Sequence, residues 1–147
     1  MDALVVVVNQ DNPLPGLNVQ QLDAIFSITR SCGARKVPVT WGDLQLTQPG
    51  WSDRGLQRFG RNSASGTWGF FKQQALCNGD FRKDVGAYPG SAAVVQAVAG
   101  TLNSIGYASA GFHISGVKTV PVARSGSDWI APPPVNIRSR LYPYSRP

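Results

Sequence analysis

The run Phe59-Gly60-Arg61-Asn62-Ser63-Ala64-Ser65-Gly66-Thr67-Trp68-Gly69-Phe70-Phe71 changes character twice within thirteen residues. Leu56 to Arg61 predicts a strand, and Asn62 to Ala64 predicts a tight turn of small polar residues. Ser65 then opens a helix expected to run to about Cys77, with Trp68, Phe71, Ala75 and Leu76 on its inner face. Asn78-Gly79 supplies the left-handed residue that stops it. A strand passing through a short turn directly into a helix is the building unit of α/β folds.

The flanking sequence repeats this alternation. Ala3 to Asn9 is almost wholly apolar, as expected of a strand covered on both faces. After a Pro- and Gly-rich turn from Asp11 to Gly16, Asn18 caps a helix, with Gln21 as its capping-box partner. Val19, Leu22, Ile25 and Phe26 form that helix's apolar stripe. Ser27 to Arg54 is loop-like and long enough to predict a short helix around Trp41-Gly42-Asp43-Leu44. Tyr88-Pro89-Gly90 reads as a linker to Ser91, the expected N-cap of a helix over Ala92–Ala99 that ends at Gly100. Ile105–Ala108 and Val117–Val122 predict two more strands. Pro132-Pro133-Pro134 forces an extended segment, Val135–Arg138 predicts one short helix, and Leu141–Pro147 the beginning of a strand.

Bulk properties narrow the function classes. A chain of 147 residues that is 42% apolar and 15% charged is ordinary for one globular domain. The aliphatic run Ala3 to Val8 is far too short to span a bilayer. Met1-Asp2 opens no basic, then apolar, signal segment. The net charge of +6 points to an anionic ligand. It does not favour a nucleic acid, because the cations are scattered and never exceed two in a row, as at Arg35-Lys36 and Arg82-Lys83. Cys32 and Cys77 match no metal spacing. An even count is compatible with one disulfide in an oxidising compartment, but the plainer expectation is two unpaired thiols.

The turn before the predicted helix carries the chemistry. The first N–H groups of a helix lack partners and the dipole is positive there, so an anion is favoured. Gly66 lets an oxyanion approach the backbone, Ser63, Ser65 and Thr67 add hydroxyl donors, and Arg61 can present a planar fork to two oxygens. The same residues also fit a plainer account, in which Ser65 merely caps the helix and Arg61 makes a surface ion pair. Rival chemistries fit worse. No Lys precedes Thr67, so there is no nucleotide P-loop. Ser65 lacks a nucleophile elbow, and the one histidine, His113, reads as an exposed turn residue and not as a base. No cluster of metal ligands is present, and no cofactor motif.

Gly60 to Phe71 closely resembles the phosphate-binding segment of the substrate-binding proteins of phosphate ABC importers, of the type II periplasmic binding protein class. Val6-Val7-Val8-Asn9 with Asp11-Asn12-Pro13-Leu14, Leu22 to Ser27, Thr40 to Leu44, Pro89 to Val98, Ile105-Gly106-Tyr107, Asn136-Ile137-Arg138 and Tyr142 to Pro147 are similar to further landmarks of that family, in order. The resemblance implies a three-layer α/β sandwich with a mixed, mostly parallel sheet, residues 1–147 forming the family's second lobe alone. It implies non-catalytic phosphate binding through Arg61, Ser65, Gly66 and Thr67, with Asn62, Ser63 and Ser91 as weaker candidates. The implied partners are inorganic phosphate, membrane permease subunits, and a first lobe or a second copy of the chain; the implied location is the periplasm or cell envelope. One departure is Ser63, which stands where the family often places an acid that fixes the arginine, so Arg61 needs another partner or is held less rigidly. Two other readings remain at this point: a protein-interaction module built on the lobe's fold, and a basic nucleic-acid-binding domain.

Overall fold

The computed structural model describes residues 4–33, 36–110, 115–124, 126, 129–130 and 144. Strand Leu4–Asn9 (β1) is buried throughout. Its alternating side chains supply two different cores, as a pleated strand covered on both faces must. Leu17–Asn18 (β2) leads into the helix Val19–Phe26 (α1). The predicted capping box is present: Asn18 Oδ1 accepts from the Gln21 N–H, and Gln21 Oε1 accepts from the Asn18 N–H, both at 2.8 Å. The connection that follows contains one 3-10 turn, Trp41–Leu44. Trp41 is buried there and donates its indole N–H to Asn103 O at 3.1 Å.

Beyond it come Gln57–Arg61 (β3), the helix Gly66–Ala75 (α2), Val85–Tyr88 (β4), the helix Ser91–Ala99 (α3), Ser104–Ser109 (β5), Val117–Thr119 (β6) and Val122–Ala123 (β7). Five strands form one sheet in the order β4-β3-β5-β1-β6, while β2 and β7 pair separately. β3 is parallel to both β4 and β5, and β1 is antiparallel to both β5 and β6. Four of the five strands therefore run one way and β1 alone runs against them: a mixed, mostly parallel sheet, as expected. The layers also agree. Leu4, Val6 and Val8 join Leu22, Ile25, Phe26, Phe71, Ile105 and Tyr107 in a core beneath α1 and α2. Val5 and Val7 join Phe59, Val94 and Val98 on the opposite face, beneath α3. At the end of β1, Asn9 donates to Val98 O and Ala99 O at 3.2 and 3.1 Å, tying down the last carbonyls of α3. No helix among the described residues is long and apolar enough to cross a membrane.

Several expectations need correction. Cys32 and Cys77 are not free thiols; they form a disulfide, with Cα atoms 5.3 Å apart. The linker before Ser91 contains an edge strand, β4, and the single strand expected over Val117–Val122 is two. The Val120 N–H still reaches Val6 O at 2.8 Å, but Pro121 has no N–H to continue the ladder. Ser91 is not an N-cap. Gly90 holds that position, and Ser91 is the first helical residue. The turn after α2 has two residues at positive φ, Cys77 at 50° and Asn78 at 62°. His113, the Pro132-Pro133-Pro134 segment and the helix predicted at Val135–Arg138 lie outside the described residues, as does the strand predicted from Leu141, apart from Tyr144.

Candidate functional site

β3, β4 and β5 are mutually parallel, so their carboxyl ends lie together, and the chain leaves two of them for helices. β3 runs through Asn62–Ser65 into α2, and β4 through Pro89-Gly90 into α3. Two helix N-termini therefore converge outside one edge of the sheet, where open α/β sheets bind ligands.

The turn before α2 is built by local hydrogen bonds. Asn62 Oδ1 accepts from the Ala64 N–H at 3.2 Å, Asn62 O accepts from the Ser65 N–H at 3.1 Å, and the Asn62 N–H extends the ladder to Tyr88 O at 3.0 Å. Ser65 is the N-cap, its Oγ accepting from the Trp68 N–H at 3.2 Å. That bond uses a lone pair and leaves the hydroxyl hydrogen to donate outward, so capping and anion contact are compatible. Gly66 has open space around it: a Cβ built there meets no atom within 4 Å.

Arg61 shares the α3 side of β3 with Phe59, two residues earlier. Its Nη1 donates to Ser91 Oγ and its Nη2 to Pro89 O, both at 3.0 Å. Nε is buried without a hydrogen-bond partner. No acidic side chain among the described residues pairs with it; the ion pairs found there involve Arg58, Lys72 and Arg82. Among the described residues the surface ion pair of the plainer account is therefore missing, and Ser91 and Pro89 hold the fork instead. Ser63 is exposed and takes no part in holding Arg61.

Ser91 is only 3% exposed, and its Oγ also accepts from the Ser109 N–H at 3.0 Å. Ser109 Oγ in turn lies 2.8 Å from Thr67 Oγ1. Arg61, Ser91, Ser109 and Thr67 form one connected chain across the strand ends, joining α3 to α2. Asn62 shapes the turn, and Ser65, Gly66 and Thr67 sit together at the start of α2. Ser109 was missed from the sequence; its place at the end of a predicted strand was the signal available.

Beneath the site, packing is tight. Tyr107 stacks on Phe71 with ring centroids 4.1 Å apart and meets Phe26 edge-on at 5.7 Å. Its hydroxyl donates to Arg61 O at 3.5 Å, and burial pushes the phenol well above its ordinary pKa, so it stays protonated. A Cβ on Gly60 would lie 2.4 Å from the Tyr107 ring, so glycine is needed for β3 to pass this close. On the α2 side, an open depression of about 290 Å³ lies beside the turn, lined by Arg61, Asn62, Ser63, Trp68, Phe81 and Arg82 among others. Among the described residues, no group of three or more His, Cys, Asp or Glu side chains is placed to hold a metal.

Over 147 residues and 99% of its length, the chain is 50% identical to the phosphate-binding protein PstS of Pseudomonas aeruginosa. The chain is homologous to about half of a phosphate-binding protein. It spans 45% of that relative's length. PstS of Borrelia burgdorferi superposes with a TM-score of 0.78 over 99% of this chain and 55% of its own, at 20% identity. An ABC-type phosphate transport receptor of Vibrio cholerae superposes with a TM-score of 0.74 over 97% and 52%, at 21% identity. These likenesses give the fold: a lobe of the type II periplasmic-binding-protein kind. No family model matches the chain.

Proposed function

We propose that this chain binds inorganic phosphate without altering it, as one lobe of the substrate-binding component of a phosphate ABC importer. The observation that carries the reading is Arg61. It is a guanidinium held by neutral partners where two helix N-termini converge, with no carboxylate among the described residues to neutralise it. A tetrahedral oxyanion placed there meets the arginine fork, the Ser65 hydroxyl and the backbone N–H groups of the first turn of α2, all donors. The names of the relatives support phosphate as that oxyanion, and their role as transport receptors supports binding without catalysis. The same relatives favour the cell envelope as location and membrane permease subunits as partners, and the Cys32–Cys77 disulfide fits an oxidising compartment.

Residues 1–147 act in this reading as a single lobe whose ligand face is completed by a complementary lobe. Alone, the face leaves an anion partly solvated with part of its hydrogen-bonding capacity unmet, so binding is weak; a complementary lobe tightens it. Calorimetric titration with inorganic phosphate, using the chain and its Arg61→Ala variant, tests the proposal. Saturable binding that the variant loses supports it. Equal heats from both proteins refute it.

A further inference from the structure

Ser91 has a role that its exposure and bonding define. Its hydroxyl is buried, and it accepts two hydrogen bonds, from Arg61 Nη1 and from the Ser109 N–H. A guanidinium N–H and a backbone N–H can only donate, so the lone pairs of Ser91 Oγ are committed in one direction. The Ser109 N–H is fixed by the end of β5 and Ser91 by the first turn of α3, so the oxygen between them is fixed as well. Pro89 O holds Nη2 from the loop before the same helix. Two of the guanidinium's five N–H groups are thereby anchored at two points, which sets the plane of the fork.

We propose that Ser91 is a positioning residue for Arg61, and that it orients the guanidinium with a neutral oxygen so that the full positive charge is left for the anion. The inference rests on the reading of Arg61 as the anion's cationic contact. An acid in this place would hold the fork equally well but would cancel much of its charge. Ser91 and Pro89 separate the two effects: they supply geometry and no charge. Ser109 belongs to the same device, its N–H fixing Ser91 and its hydroxyl reaching Thr67, so that the α3 end and the α2 end of the site are held in register.

The test uses the full chain in three forms: wild type, Ser91→Ala and Ser91→Asp. Each is titrated calorimetrically with inorganic phosphate at several salt concentrations. Each is also measured by 15N NMR of the Arg61 side chain, whose Nη–H signals separate only when rotation of the guanidinium is blocked. Ser91→Ala strands two donors. It is expected to merge the Arg61 Nη–H signals and to weaken phosphate binding by about tenfold or more. Ser91→Asp is expected to keep those signals resolved, yet to weaken binding and flatten its dependence on salt, because the charge is now matched within the protein.

Resolved Arg61 signals and a phosphate Kd within twofold of wild type in Ser91→Ala would overturn the proposal. So would an unchanged Kd and salt slope in Ser91→Asp, and that variant decides the matter if Ser91→Ala loses its circular dichroism signature of folding. The NMR signature does not require phosphate. If wild type fails to bind the anion, the proposed function fails, while the positioning of Arg61 by Ser91 is still read from the side-chain signals.

Discussion

Gly66 separates a structural reason for glycine from a functional one. Its backbone φ is not positive, and an added Cβ meets no atom within 4 Å, so the protein itself gives no reason to exclude alanine. Gly66→Ala should therefore leave stability unchanged or raise it, by up to about 1 kcal/mol from helix propensity. An anion seated on the first N–H groups of α2 would nevertheless meet the new methyl group, because Cβ atoms lean toward a helix's N-terminus. Losing one charge-assisted hydrogen bond costs about 1.5–3 kcal/mol, which is roughly a ten- to hundredfold rise in the phosphate Kd. The assay pairs a urea unfolding midpoint with a calorimetric phosphate titration of the same preparation. A variant as stable as wild type that binds phosphate within twofold of it would refute the seat at this turn. A loss of stability beyond 1 kcal/mol would instead refute the open geometry on which the reasoning depends.

The other predictions concern what holds the site. Gly60→Ala forces a methyl to 2.4 Å from a Tyr107 ring already stacked on Phe71, so urea unfolding should report about 1–3 kcal/mol of destabilisation. Because Tyr107 also bonds Arg61 O, phosphate binding should weaken with it. The Cys32–Cys77 disulfide closes a loop of sequence separation 45, and chain entropy sets its stabilisation at about 4 kcal/mol. A Cys32→Ser, Cys77→Ser double variant should lose about 2–4 kcal/mol in the same assay, with Arg61 and its partners still in place. Asp84 is held below the usual carboxylate range, first by its hydrogen bonds from Arg82 and also by Arg58. A depressed carboxylate contributes stability above its unfolded pKa of about 3.9 and loses it as pH falls through the folded value. Thermal unfolding of Asp84→Asn should accordingly lack part of the acid-side drop in Tm seen for wild type, whereas an identical pH profile would rule the contribution out.

What the sequence revealed follows the range of the forces involved. The β3–turn–α2 unit and the capping box at Asn18 and Gln21 depend on residues a few positions apart, and both were legible. β4 was not, since Val85–Tyr88 is short, contains Gly86 and lies half-buried at the sheet edge, giving no apolar alternation. Ser91 carried the composition of an N-cap, but its hydroxyl is taken by Arg61 and Ser109, thirty and eighteen residues away, and Gly90 caps in its place. The disulfide, which the even cysteine count allowed but did not require, and the partners of Ser109 needed the fold for the same reason. Each depends on which distant segments the sheet order brings side by side, and no local pattern encodes that order. The clamp on Arg61 was foreseen only as an alternative to the missing acid, and its identity needed the fold.

The central claim is that phosphate sits at the joined ends of α2 and α3, and backbone amide NMR during a phosphate titration tests it most directly. The account predicts saturable shifts largest at Gly66, Thr67, Ser91 and the Arg61 side chain, with Lys36, Lys83 and Lys118 unmoved. Shifts spread over those scattered lysines, or none that saturate, would contradict it.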